Sequence, residues 1–453
     1  MLSTNIRLPS RLAAFVRANP AYADIPMEDW DVSQVETMAH WFQGFSSRCM
    51  PSLAKWDTSK VKNMDYMFAD FQGELPDISK WNTSNVTTMR YTFAGSDSKN
   101  YALGQWNTAN VTDMTGCFNW CYKARNIDVC GWNTSKVNYL TGIFEGCGLL
   151  NWVSCENWDI HQVVSLKACF AGCMSLNSLD LKKWDFGGVQ DTSGMFRSCQ
   201  RLETLSLGTT TAPELTEMSE MFQYCHWLNT ITWSWNVKPR RISHLFHECF
   251  CLKKVDLKGL DTSRVEIMAA VFKGCQSLQK LDIAHFDTSK VTTMESMFED
   301  CYDLEEVDIS GFDTSKVYMF NNFMKGCHKL KKIDVSGFNT KDVCKMNAMF
   351  QDCCSVIKLD TTFWDTRNVL EMSYAFYGCN SLTELDLSNF TIKQYCRTIR
   401  TCAECHSLVE IKLPEKIDPH EQLDEDFAEN CHALLTVYHM IIEQESEKDI
   451  DWW

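Results

Sequence analysis

The chain is poor in the residues that interrupt regular structure, with 9 prolines and 20 glycines in 453 residues. That is too few for a collagen-like or linker-rich protein. It has no stretch of ~18 apolar residues to span a bilayer. The longest apolar run near the start, Leu12 to Val16, is too short for the core of a signal peptide. Positive charge is also scarce. Lys and Arg total 43 against 59 Asp and Glu, a net charge of −16, so a phosphate backbone is repelled and nucleic acid is not an expected partner. There is no His-Glu-x-x-His, no phosphate-binding glycine loop and no convergent nucleophile and base. A non-enzymatic protein without a cofactor is expected.

Cysteine and aromatic residues are abundant, with 23 Cys, 26 Phe and 16 Trp, and their spacing is periodic. Phenylalanine recurs from Phe42, Phe68, Phe93 and Phe118 to Phe376 and Phe427 in steps of 24 to 26 residues or twice that, with Met324 and Cys402 on the missing rungs. This makes sixteen copies. A second aromatic ladder, Trp30 to Phe390, sits twelve residues earlier, and a cysteine ladder, Cys121 to Cys431, about three residues later. The cleanest unit starts at Phe286. Val291, Met294, Met297, Phe298 and Cys301 fall at spacings of three and four, the apolar stripe of a two-turn helix with Ser289 or Thr292 as its cap. Leu304, Val307, Ile309 and Phe312 then follow the leucine-rich pattern of a short strand, with Val307 and Ile309 inward and Asp308 outward. Such a unit buries its apolar side only against the next copy.

The expected fold is therefore α/β, a leucine-rich-repeat-like solenoid of about sixteen coils of 24–26 residues, each with a short parallel strand and a short helix. Residues 1–29 form a capping segment, 30–437 the continuous solenoid, looser to about residue 120, and 438–453 an acidic tail ending in Trp452 and Trp453. In the cap, Ser10 starts a short helix through Arg17, halted by Asn19-Pro20, that covers the open end of the first coil. Arg7, Arg11 and Arg17 before the first acid, Asp24, also fit a mitochondrial presequence.

The units at Trp56 (WDTSKVKNMDYMF), Trp81 (WNTSNVTTMRYTF) and Phe286 (FDTSKVTTMESMF) resemble the repeats of the BspA-like leucine-rich repeat family. That family occurs in bacterial surface proteins and lipoproteins and in some protists and viruses. The resemblance covers roughly residues 27 to 437 and implies surface adhesion or partner recognition. With no export signal recognised ahead of the repeats, two placements stay open: a surface or particle-surface protein, and an intracellular or organellar scaffold.

Side-chain chemistry supports a binding role. Side chains stacked at the coil spacing of ~5 Å do not converge as a disulfide requires, so the cysteine ladder is expected to hold free thiols packed as apolar filler, made in a reducing compartment. Cys396, Cys402, Cys405 with His406, and Cys431 with His432 have zinc-like spacing, and a metal-dependent enzyme there is the remote alternative. No metal is expected. Asp128, Asp180, Asp256, Asp282, Asp308, Asp334, Asp360 and Asp386 form an outward column, read as turn caps offset by Lys254, Lys280, Lys332 and Lys358 or as a strip for a cationic partner. Asp57, Asp261, Asp287 and Asp313 are read as caps of the Asp-Thr-Ser turns. The repeat shortens to 24 residues between Phe222 and Phe246 and there concentrates Trp227, Trp233, Trp235, Arg240 and Arg241, residue types that anchor interfaces. These five, with Asp282, Asp308 and Asp334, are the candidate partner-binding residues.

Overall fold

The computed structural model describes residues 10–19, 25–46, 50–208, 211–232, 236–415, 417, 423–434 and 436–438, and the unit that starts at Phe286 shows how each copy folds. Past the turn at Ser289 and Lys290 the chain bridges in parallel through Thr293 to Ile267 on one side and Met319 on the other. From Met294 to Cys301 the amides then alternate. Those of Met294, Ser296, Phe298 and Asp300 donate to carbonyls of the next coil at 2.7 to 3.1 Å, while those of Met297, Glu299 and Cys301 close on the carbonyl three residues back at 3.2 Å. Ser296 and Asp300 take φ of 55° and 60°, so each tight turn is reversed before a helix can propagate.

This corrects the expectation of a helix in every coil. A spacing of three and four fits a run of three-residue turns as well as a helix, and the stacking decides between them. Parallel coils lie about 4.8 Å apart, whereas a helix with its side chains is about 10 Å across and keeps all its amides for itself. The turn conformation frees every second amide for the neighbouring coil. Among the described residues the helical segments are α1 (Ser10–Ala18) and one 3-10 turn, Met27–Asp29. Phe15 of α1 packs on Trp41 at 4.9 Å and on Trp30 at 6.1 Å.

The chain forms two compact units, Met1–Asn236 and Val237–Trp453. In the first, Thr37, Asn63, Thr88, Asp113, Tyr139, Ser165, Asp191 and Glu217 bridge in succession through eight coils. Short parallel strands join them on another side, in the sheets β1 (Asn100–Ala102), β2 (Asn126–Asp128), β3 (Trp152–Val153) and β4 (Ser178–Leu181), β5 (Thr204–Leu207), β6 (Thr230–Thr232). In the second, Ile267, Thr293, Met319, Lys345, Glu371 and Arg397 bridge through six coils. Its strands are β7 (Lys280–Leu281) with β8 (Glu306–Val307), and β9 (Glu384–Asp386), β10 (Glu410–Lys412), β11 (Thr436–Tyr438). Val307 and Ile309 are buried and Asp308 exposed, as the alternation implied.

The ladders form the core. Phe93, Phe118, Phe144, Phe170, Phe196 and Phe222 stack in sequence with ring centroids 5.3 to 5.7 Å apart. The tryptophan ladder adds a polar function that its spacing did not disclose. The indole N–H groups of Trp56, Trp81, Trp106, Trp132 and Trp184 donate at 2.9 to 3.0 Å to a carbonyl one coil back, which satisfies a buried acceptor. Where phenylalanine replaces tryptophan at Phe286, a ring nitrogen of the adjacent His285 meets the Leu257 carbonyl at 3.0 Å instead. One rung is also corrected. Cys402 donates its amide to Phe427, which makes Phe427 the equivalent of Phe323 next to the Met324 rung. The last rung is Ala428, and Cys431 then lies three residues after it like the other ladder cysteines.

Candidate functional site

The aspartate turns are local structures. The side chains of Asp57, Asp261, Asp287 and Asp313 accept the amide two residues on at 2.9 to 3.0 Å, and those bonds with Ser59 and Ser315 hold the carboxyls of Asp57 and Asp313 below their usual range. At Asp261 partial burial pushes the pKa up, but the Lys238 ammonium at 2.8 Å and the Ser263 bonds outweigh it and bring it down to about 2. The unfolded carboxyl titrates near 3.9, so the stabilisation from this pair is complete above that pH and is lost as the pH falls from about 4 to about 2. Acid titration followed by circular dichroism should show Asp261→Asn insensitive to this step; an unchanged acid transition would show that the pair carries no linkage.

The strand column behaves similarly. Asp128, Asp180, Asp256, Asp308, Asp334, Asp360 and Asp386 each accept the amide two residues on at 3.0 to 3.2 Å. Asp308 and Asp334 also accept the hydroxyls of Ser310 and Ser336 at 2.7 Å. Asp282 differs because Ala284 stands where those serines do, and among the described residues nothing donates to its carboxylate. The three candidates Asp282, Asp308 and Asp334 line one groove of about 800 Å³ in the second unit. Its far side carries Lys280, Glu306, Lys332 and Lys358, and Leu281, Val307 and Ile333 lie between the two sides. Lys280 pairs with Glu306 at 2.7 Å across adjacent coils rather than with an aspartate. This face is thus two columns of charge over an apolar floor and not simply acidic.

The aromatic and arginine candidates fall in different parts of the chain. Trp227 is exposed in the first unit, beside a hollow lined by Asn177, Arg201 and Glu203. Arg240 and Arg241 are exposed and belong to the second unit. Trp233 and Trp235 lie outside the described residues, as do Trp452 and Trp453 of the tail.

The cysteine ladder is not mere filler. All the ladder cysteines are free, and most donate their thiols to the carbonyl of the rung residue one coil earlier, as Cys301 does to Phe272 at 3.1 Å and Cys327 to Phe298 at 3.2 Å. Cys405 and Cys431 follow this pattern, bonding to Phe376 and Cys402 at 3.1 and 3.0 Å. Their zinc-like spacing therefore reflects repeat packing, and among the described residues no three metal-ligating side chains come together. No described helix is long and apolar enough to cross a membrane. Sequence reasoning also missed a group of exposed apolar residues in the first unit, Trp120, Tyr122, Leu149, Trp152 and Met174, because their ladder positions are filled elsewhere by unlike residues.

Comparison with known families gives a match to "Mycoplasma protein of unknown function, DUF285" over residues 11–129, 121–235, 204–306, 240–356 and 304–410. No curated protein matches the chain. Among solved structures it is similar to a leucine-rich repeat protein from Bacteroides ovatus, with 18% identity over 72% of this chain and 75% of that one and a TM-score of 0.40. It is also similar to one from Eubacterium ventriosum, with 16% identity over 74% and 78% and a TM-score of 0.37. A leucine rich cell surface protein from Faecalibacterium prausnitzii matches at 14% identity over 79% and 84%, with a TM-score of 0.31.

Proposed function

The chain belongs to the DUF285 family, and from that premise we propose that it is a non-enzymatic protein-recognition module whose partner lies along the strand face of the second unit. The observation that carries this reading is the groove in which the Asp282, Asp308, Asp334 and Asp360 column runs beside Lys280, Lys332 and Lys358 over an apolar floor. Repeat arrays present extended surfaces of this kind without a pocket, and an acidic column beside a column of lysines and Glu306 selects a partner by charge pattern. A cationic strip on the partner would meet the aspartates while acidic groups meet the lysines. The sixteen-copy count and the division into cap, repeats and acidic tail belong to this reading and rest on the ladders.

Placement on a surface or particle surface is the reading that follows from the repeat resemblance; an intracellular scaffold is the second, favoured by the free thiols. A photo-crosslinking residue at Ala284, on the groove wall, tests the site in the native host. It should trap a discrete partner, and the triple variant D282K/D308K/D334K should lose the adduct. Trapping that is equally efficient in the triple variant would reject the groove as the binding face.

A further inference from the structure

A second surface, in the first unit, is built differently. Trp120, Tyr122, Leu149, Trp152 and Met174 come from three successive coils and are 46 to 60% exposed. Trp120 takes φ of 57°, the left-handed region that a bulky side chain adopts only at a cost. From there its ring covers the next coil at Gly146, where an added Cβ would come within 2.7 Å of the indole. Tyr122, Gly148 and Met174 hold the same position in their three coils, four residues after the rungs Phe118, Phe144 and Phe170. An added Cβ on Gly148 would meet nothing within 4 Å. The glycine therefore leaves a notch between the tyrosine and the methionine, with Leu149 at its side.

The tyrosine wall of this notch is held in place. The Tyr122 hydroxyl donates to Asp97 at 2.7 Å, and Lys123 pairs with the same carboxylate at 2.8 Å while lying 5.2 Å from the tyrosine ring centre. Ordering such a site in advance lowers the entropy lost on binding. The side chains of Lys99 and Arg125 stand in the coils next to Trp152, with the Glu74 carboxylate accepting the Lys99 amide at 3.2 Å. Arg125 donates its amide to Lys99, and Asn151, which precedes Trp152, donates to Arg125; neither Lys99 nor Arg125 has an ion pair among the described residues. Two unpaired cations beside an aromatic cluster on a chain of net charge −16 favour an occupant that brings negative charge to an apolar contact.

We infer that this patch docks a segment of a partner protein in which one aromatic or leucine side chain fills the Gly148 notch and adjacent acidic residues face Lys99 and Arg125. The surface is independent of the second-unit groove. A random peptide library displayed on phage and selected on the immobilised full chain tests it. The enriched peptides should share a large apolar residue beside Asp or Glu. Binding of the enriched peptide, followed by fluorescence anisotropy, should weaken by about tenfold or more in Trp152→Ala and also in Gly148→Leu, which fills the notch from an open position. It should weaken further with added salt and in Arg125→Glu. Unchanged thermal unfolding of these variants would show that the fold is intact. Selection without an anchored acidic consensus, or peptide binding that is the same in Gly148→Leu, would overturn the proposal. So would concentration-dependent self-association abolished by Leu149→Asp, since the occupant would then be a second copy of this chain.

Discussion

Treated with a thiol reagent at pH 8 without denaturant, the protein should give up Cys251 and Cys130 first among the described cysteines, both exposed, followed by the half-buried Cys344 and Cys354. The twelve ladder cysteines from Cys121 to Cys405 should not react until the chain unfolds, whereas the hydrogen bond with Cys405 holds the Cys431 thiol below the usual range. Burial pushes the thiols of Cys147, Cys327 and Cys379 up, and that of Cys199 up to about 12. Only the thiolate attacks, so at pH 8 a group titrating near 12 is ~10⁻⁴ ionised against roughly a quarter for an ordinary thiol near 8.5, a difference on the order of a thousandfold before access is counted. Cys130 is slowed as well, by its hydrogen bond to Asp128 and by that residue's charge. Mass spectrometry after timed alkylation reads each site. All 23 cysteines should react once the protein is denatured without reductant. Rapid native labelling of the ladder cysteines from Cys121 to Cys405, or a shortfall after unfolding, would refute the free and sealed ladder.

Replacing Phe118 by alanine should destabilise the first unit by about 3–5 kcal/mol, the range for removing a large ring from a packed core. Phe118 is fully buried between Phe93 at 5.3 Å and Phe144 at 5.7 Å, with Tyr101 edge-on at 5.3 Å and Trp132 at 5.9 Å. The site cannot collapse readily, because the coils on either side are pinned by the backbone bonds from Phe93 to Cys117 and from Phe118 to Ile143. Coils in a solenoid couple mainly to their neighbours, so hydrogen exchange should accelerate most in the coils around residues 93 to 144 and far less near Phe196. Trp227→Ala, which removes an exposed ring from the same unit, should change stability by less than about 0.5 kcal/mol. A loss below about 1 kcal/mol in Phe118→Ala would mean that the aromatic ladder does not hold the unit together.

Features that depend on residues near one another in the chain were legible before the structure. The period, the parallel stacking, the inward Val307 and Ile309 with outward Asp308, and the Asp-Thr-Ser caps all follow from short-range geometry. The helix was misread because Val291, Met294, Met297 and Cys301 have the same spacing in a helix and in linked three-residue turns. Phe427 was placed on the ladder by residue type, whereas the bond from Cys402 assigns the rung to Ala428. The cysteines looked like filler because the carbonyl each thiol reaches belongs to another coil, 29 residues earlier in the case of Cys301.

Of the candidate site, the sequence marked Asp282, Asp308 and Asp334, since a repeated residue reveals its own alignment. It could not show that Lys280, Lys332 and Lys358 stand across a groove from them, or that Asp282 alone in that part of the column lacks a hydroxyl partner. The patch around Gly148 was hidden altogether, because its residues become neighbours only when coils some 26 residues long are laid side by side. The order of residues thus determined that this chain must stack copy upon copy. The tertiary structure decided what the stacking does to each copy. A spacing of about 4.8 Å leaves no room for helices and sends alternate amides across to the next coil. The same spacing brings side chains from separate repeats into the shared surfaces that a partner can read.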